Sequence, residues 1–292
     1  MGQQIVNGVF LGSIYALFAL GYTLVFGVLD ILNLAHQAVF MLCAYFALLI
    51  VLHLHLPMFL AFPAAVLAGG LLGLGVERVA FRPLRGRADS NVSGLISSIA
   101  LATVLEALAL QIFGPDVERF PFGIVPDRTL HLGDAVVSEL QVVIIAIALA
   151  MLLALTWVVR WTALGRRIRA VAESPAAARV LGVDVDRVIA ASFFVSSALG
   201  GAAGVLFGLA FNNVSPDMGR TVELKGLAVI ILGGMGSMPG AAIAGFALGL
   251  VEVFTVAKLG SSYRDAVAFG ILFLVLVLRP RGLLGSRALR EA

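Results

Sequence analysis

The sequence predicts an all-α, polytopic integral membrane protein with about eight transmembrane helices plus re-entrant or broken segments. Composition comes first: of 292 residues, 61% are hydrophobic and 13% are charged, against about 25% charged in an ordinary soluble domain. A soluble chain of this size keeps much of its surface wet and cannot hide so much apolar side chain. Second, the apolar residues fall into runs of roughly 20, the length that crosses a hydrocarbon core ~30 Å thick. Third, the loops between the runs are short, so residues 1–292 form a single transmembrane domain.

Spans are expected at 5–28, 37–54, 58–78, 93–113, 140–160, 188–210, 239–257 and 264–279, with a shorter apolar piece, 226–234, before the seventh. Residues 1–8 contain no Lys or Arg. The first span therefore lacks the basic leader of a cleaved signal peptide and is expected to be retained.

Arginine sets the orientation, since all but two (Lys225 and Lys258) of the 20 basic residues are arginine. They gather in three segments: Arg78, Arg82, Arg85 and Arg87; Arg160, Arg166, Arg167, Arg169, Arg179 and Arg187; and Arg279, Arg281, Arg287 and Arg290. The loop at about 114–139 instead carries Asp116, Glu118, Asp127, Asp134 and Glu139 against Arg119 and Arg128. Cationic loops stay in the cytoplasm, so the first three segments face in and the 114–139 loop faces out.

A single crossing over 226–257 would leave the tail outside, against its arginines. The conflict disappears if 226–234 enters from outside, turns, and 239–257 returns. The turn is Gly233-Gly234-Met235-Gly236-Ser237-Met238-Pro239-Gly240, whose glycines and proline break a helix. Irregular backbone at membrane depth must be wrapped in protein or line a watery path, so Gly233, Gly234, Gly236 and Ser237 are candidate path residues. Close helix packing is the competing explanation for them. A second break, Asp30-Ile31-Leu32-Asn33-Leu34-Ala35-His36-Gln37, adds Asn33, His36 and Gln37, because paired interrupted segments point to a transport site. Its side is open: re-entry from outside puts the N-terminus in the cytoplasm, and a cytoplasmic loop puts it outside. Replacing His36 or Gly236 with a bulky residue is expected to cut uptake without stopping assembly.

Catalysis has no foothold. Neither lysine follows a phosphate-cradling glycine loop, and there is no Gly-x-Ser-x-Gly elbow. His36, His53, His55 and His131 make no metal constellation, and lone Cys43 reads as a buried small hydrophobe. No catalytic residue, metal site or bound cofactor is expected, and no nucleic-acid partner, since lipid surrounds the chain. Among ionisable residues at bilayer depth, Glu106 is equally open to contacting solute or fixing packing. Glu252 leans to packing, and Glu77 reads as an ion pair with adjacent Arg78.

The cytoplasmic segment at about 160–187 predicts a short helix. Ser174 suits the N-cap and Pro175 the first helical position. Ala176 to Leu181 follow, and Gly182 stops the helix. Small-faced and flanked by arginines, it suits docking into a partner's groove, with an ordinary interfacial turn as the alternative.

The Ala177-Ala178-x-x-x-Gly182 spacing resembles the docking loop of ABC-importer membrane subunits. The whole chain is similar to the permeases of branched-chain amino acid importers, Liv type, and to the LivH-like subunit in particular. The matching pieces include Asn7-Gly8, Leu11 to Leu17, Gly21-Tyr22-Thr23, Asn33-x-Ala35-His36 and Glu77 to Arg85. Others are Gly165-Arg166 through Asp186-Arg187-Val188, Leu232 to Gly240, and Pro280-x-Gly282-Leu283-Leu284-Gly285. The resemblance implies a type II-like importer fold in a bacterial or archaeal cytoplasmic (inner) membrane. The chain would supply half of the translocation path and a second, LivM-like permease the other half, making a heterodimer. Two cytoplasmic ATPases using ATP and Mg would dock on a coupling loop that includes Arg169, Glu173, Ser174, Pro175, Ala176, Ala177, Ala178 and Gly182. A periplasmic or surface binding protein would deliver solute. The expected path residues are Asn33, His36, Gln37, Gly233, Gly234, Gly236, Ser237 and Glu106. Relatives often place Gly and an acidic residue after Asn-x-Ala-His, where this chain has Gln37 and Ala38. The resemblance implies a branched-chain or related amino acid as the solute, and this departure leaves urea, short amides and small carboxylates open as alternatives. A self-sufficient secondary transporter or channel is the remaining class.

Overall fold

The computed structural model describes residues 1–85, 90–121, 123–124, 128–132 and 135–285. Arg87, Asp127, Asp134, Arg287 and Arg290, which contributed to the orientation argument, lie outside the described residues.

Among the described residues, eleven α-helices make up nearly all of the fold: α1 (Gly2–Leu29), α2 (His36–Leu54), α3 (Met58–Val76), α4 (Ser90–Phe113), α5 (Glu139–Trp161), α6 (Ala163–Glu173), α7 (Pro175–Val180), α8 (Val185–Phe211), α9 (Met218–Gly233), α10 (Met238–Leu259) and α11 (Arg264–Leu278). A π-helical turn (Glu77–Phe81) and a 3₁₀ turn (Arg82–Leu84) extend α3. Eight helical stretches among the described residues are long and apolar enough to cross a membrane, matching the eight predicted spans. The outer loop adds a small antiparallel hairpin, β1 (Thr129–Leu132) with β2 (Ala135–Ser138). Ser138 and Gln141 then form a capping box that starts α5.

α1 is the axis of the bundle and packs on α10, α8, α5 and α9. Within a bilayer, close approach depends on small side chains rather than on apolar burial alone. Gly8, Gly12 and Ala16, spaced four apart on α1, meet Gly245, Phe246, Gly249 and Leu250 of α10, and a Cβ added at Gly12 or Gly249 would run into the other helix's backbone. The Gly12→Leu variant is expected to force the two helices apart. Its yield of monodisperse protein in detergent should fall severalfold while Gly27→Leu, where a side chain meets nothing within 4 Å, keeps the parent yield.

The structure places the N-terminus beside the 114–139 loop. Gln3 Oε1 accepts from the Val136 N–H at 2.8 Å, and the Gln141 amide donates to Asn7 Oδ1 at 3.1 Å. The start of α1 therefore lies with that loop, and the Asp30–Ala35 break lies at the opposite, arginine-rich end. With the orientation that the arginines predict, this arrangement corresponds to an outside N-terminus.

α9 sets where the glycine turn lies. The helix begins at Met218, eight residues before the apolar piece at 226, beneath the outer loop: Val214 exchanges backbone hydrogen bonds with Glu118, and Asn212 accepts from the Phe120 N–H. Its 16 residues span only ~24 Å at 1.5 Å per residue, so the Asn212–Asp217 turn makes up the rest of the crossing. The glycine turn closes its far end beside the tail, where Leu283 and Leu284 N–H donate to the carbonyls of Leu232 and Gly233 at 2.8 and 3.0 Å. The turn thus sits at the end of α9 away from the 114–139 loop, beside the tail. The expected break between the 226–234 piece and the following span is present.

Candidate functional site

The residues singled out from the sequence separate into four places. In the first, Asn33 Oδ1 accepts from the Ala35 N–H at 3.2 Å, and the Leu34 N–H reaches Ser98 Oγ of α4 at 3.2 Å. These bonds hold the break so that α2 can start at His36. The His36 ring is fully buried, wedged between Gly21 of α1 and Gly200 of α8, where added Cβ atoms would strike it. It packs at a tilt against Phe18 (4.9 Å) and edge-on against Tyr22 (5.3 Å). Gln37 is likewise buried, with its backbone under Gly219. The side chains of Asn33, His36 and Gln37 are all buried.

At the glycine turn the residues divide. Gly233 packs on Gly240, and Gly234 packs on Gly282 and Gly285 with φ 101°. A side chain would be excluded from both, so these two serve packing. Gly236 (φ 82°) faces open space. Gly236 and Ser237 line a cleft of about 500 Å³, which runs between α1, α5, α6 and the start of α10 and is also lined by Arg160 and Arg169.

Glu106 of α4 occupies the third place. Its carboxylate takes the Arg220 guanidinium of α9 at 2.7 and 3.0 Å. One turn further along α9, Glu223 receives the Tyr22 hydroxyl at 3.5 Å, and Tyr22 is the ring His36 props. Arg220, Glu223 and Tyr22 escaped the sequence reading because the polar start of α9 looked like loop. Their signal was the i,i+3 spacing of Arg220 and Glu223 ahead of an apolar run.

On the opposite face of α9 lies a second ionic cluster. Lys225 contacts Glu252 of α10 at 2.8 Å and Asp265 of α11 at 3.3 Å. The Arg264 guanidinium donates to Glu252 at 2.7 Å, and the Tyr15 hydroxyl of α1 donates to it at 3.0 Å. Glu252 is fully buried, and the cluster ties four helices together. Glu77, in turn, pairs with Arg85 and not with its neighbour Arg78; Arg85 also holds Asp186 at 2.9 Å. Adjacent helical residues point apart, whereas the π-helical and 3₁₀ turns after Val76 bring Arg85 back over Glu77.

The fourth place is the cytoplasmic segment, and here the local prediction holds. Thr162 caps α6 and Ser174 caps α7, its Oγ accepting from the Ala177 N–H at 3.2 Å. Pro175 is the first residue of α7, and Gly182 turns the chain with φ 80°. Arg169 donates to the Val159 carbonyl, which fastens α6 to the end of α5. Ala178 is buried; Glu173, Ala176 and Ala177 are exposed. Val180 and Leu181 are 88% and 80% exposed.

Sequence comparison decides the class. The family described as "Branched-chain amino acid transport system / permease component" matches residues 4–276. The chain belongs to this family. The permease is 35% identical to the branched-chain amino acid transport system permease protein BraD of Pseudomonas aeruginosa, covering 97% of this chain and 95% of that one. It is equally close, with the same coverage, to LivH of Escherichia coli strain K12. It is 28% identical to the ribose import permease protein RbsC of Haemophilus influenzae over 91% of this chain and 81% of that one. The permease is therefore a multi-pass membrane component of an ABC transport system and not an enzyme; ATP hydrolysis lies in partner subunits. The secondary-transporter reading falls away.

Proposed function

We propose that the permease carries branched-chain or related amino acids inward across the cytoplasmic membrane, forming half of the path beside a second, LivM-like permease. Two ATPases using ATP and Mg dock on the 160–187 segment, and an external binding protein delivers the solute to the outer loops. The observation that carries this reading is the exposed Val180–Leu181 pair on the capped α7, at the arginine-rich end that faces the cytoplasm. The branched-chain preference is supported by the printed specificity of BraD and LivH, both closer than the sugar permease. Path residues are expected on α9 and at the Gly236–Ser237 cleft, with Asn33, His36 and Gln37 supporting them from behind.

The test is purification of the tagged permease with its co-encoded partners, followed by reconstitution. Recovery of two ATPases and a second permease, with ATP-dependent uptake of leucine, is the expected result. Recovery of a homodimer would replace the LivM-like partner with a second copy. ATP-dependent uptake of urea or a short amide, without leucine uptake, would change the solute class.

A further inference from the structure

α9 carries a row of residues whose purpose the fold does not explain. Arg220, Leu224, Leu227 and Ile231 follow a 4,3,4 spacing, which places them on one face of a helix, and Glu223 borders the same face. Arg220 and Leu224 are exposed; Glu223, Leu227 and Ile231 are half-buried. Charged groups at membrane depth are not left against lipid and face a path or another protein. The row is ordered, with charges at the outer end and branched aliphatic side chains running from there to the cytoplasmic glycine turn.

The charged end is unbalanced. It holds one cation, Arg220, and two carboxylates, Glu106 and Glu223, close enough for all three charges to interact. Glu106 binds the Nε–Nη2 edge of the guanidinium. A guanidinium has five N–H donors in a planar fork, so fixing one edge orients the other. The Arg220 side chain is 66% exposed, against 13% for Glu106. Glu223 has the Tyr22 hydroxyl behind it at 3.5 Å, and Tyr22 is held in turn by the buried His36 ring.

We infer that Arg220 and Glu223 form a zwitterion site: the free guanidinium edge takes the carboxylate of an α-amino acid, and Glu223 takes its ammonium. The ammonium gives Glu223 a cationic partner while the carboxylate meets Arg220, a two-ended contact that no simple anion or neutral amide would make. The solute's branched side chain then lies along Leu224, with Leu227 and Ile231 as the apolar track below. Glu106, Tyr22 and His36 are positioning residues. The inference rests on the amino-acid importer reading and deepens it, by assigning the membrane subunit its own contact with the α-carbon substituents of the solute.

The experiment uses the complete importer in proteoliposomes with its ATPases and binding protein. It compares the parent with Arg220→Gln, Glu223→Gln and Glu223→Asp. Uptake of labelled leucine, ATP hydrolysis stimulated by the loaded binding protein, and co-purification of every subunit are measured on each. Both neutral variants are expected to lose about tenfold or more in uptake, the scale of a lost charge-assisted contact, while hydrolysis and subunit recovery stay near parent. More ATP is then spent per solute moved. Glu223→Asp is expected to recover most of the uptake. Parent-like uptake in both neutral variants overturns the site. So does loss of uptake together with hydrolysis and the second permease, which would make this face a subunit contact. A parent complex that moves no α-amino acid overturns the functional reading itself, and the site with it.

Discussion

Charging the tip of α7 is expected to uncouple the permease from ATP. In Ala177→Arg, or in the pair Val180→Asp and Leu181→Asp, the ATPases should no longer co-purify, and ATP-driven uptake should fall to background. The reason is placement. Ala177, Val180 and Leu181 are exposed, so new side chains disturb nothing inside the permease. An unpaired charge buried in a partner's groove, by contrast, costs several kcal/mol, of order 3–5. That exceeds what a small docking contact can absorb, since each 1.4 kcal/mol is about tenfold in affinity. Ala178→Arg serves as a contrast: Ala178 is buried, so that variant should lose folded permease as well. Retained ATPases and retained uptake in the exposed-tip variants would remove α7 from the docking surface.

The Glu252→Leu variant is expected to be the most destabilising single change in the membrane domain. Glu252 is fully buried and receives Lys225, Arg264 and the Tyr15 hydroxyl. Its removal leaves two cations on a shared cavity with only the exposed Asp265 opposite. Breaking a buried ion cluster from one side costs about 3–5 kcal/mol, because the remaining charges stay desolvated and unpaired. Lys225→Met leaves Glu252 with Arg264 and Tyr15, so its cost should be smaller. Thermal unfolding of the purified permease in detergent checks the order: Glu252→Leu well below Lys225→Met, and Lys225→Met below parent. A reversed order would mean that Lys225, not Glu252, is the hub. Adding the second change, Lys225→Met on Glu252→Leu, should recover part of the loss, since it removes one stranded cation.

Much of this architecture was readable without coordinates, and particular residues show why. Spans were legible because lipid demands a run of apolar residues of fixed length, which leaves a one-dimensional imprint. Ser174, Pro175 and Gly182 defined α7 because cap, first-turn and stop residues act locally. What stayed hidden was long-range. No local pattern says that Glu77 will choose Arg85 over Arg78, nor that Arg220 will meet Glu106 from a helix 114 positions away. The glycine turn was legible as a break but its neighbours were not, since they depend on where α9 starts. That start follows Val214 pairing with Glu118. His36 was placed near the path because it lies in an interrupted segment. What packs around it was hidden: the structure walls its ring with Gly21 and Gly200, a fit that depends on three helices at once.

The seam between α1 and α10 has a mechanical meaning. Gly12 and Gly249 bring the two backbones into direct contact, leaving no long side chains between them to bend or change rotamer. Two rods joined this way cannot creep past each other in small steps. They shift together or the joint opens entirely. One end of the joined pair is tied to the outer hairpin through Gln3 and Val136. The other ends at Gly236 and Ser237, across a cleft from Arg169 and Ala172 of the cytoplasmic segment. α1 and α10 thus act as a stiff strut between the two membrane faces, so a displacement imposed at one face arrives at the other with little lost to internal give.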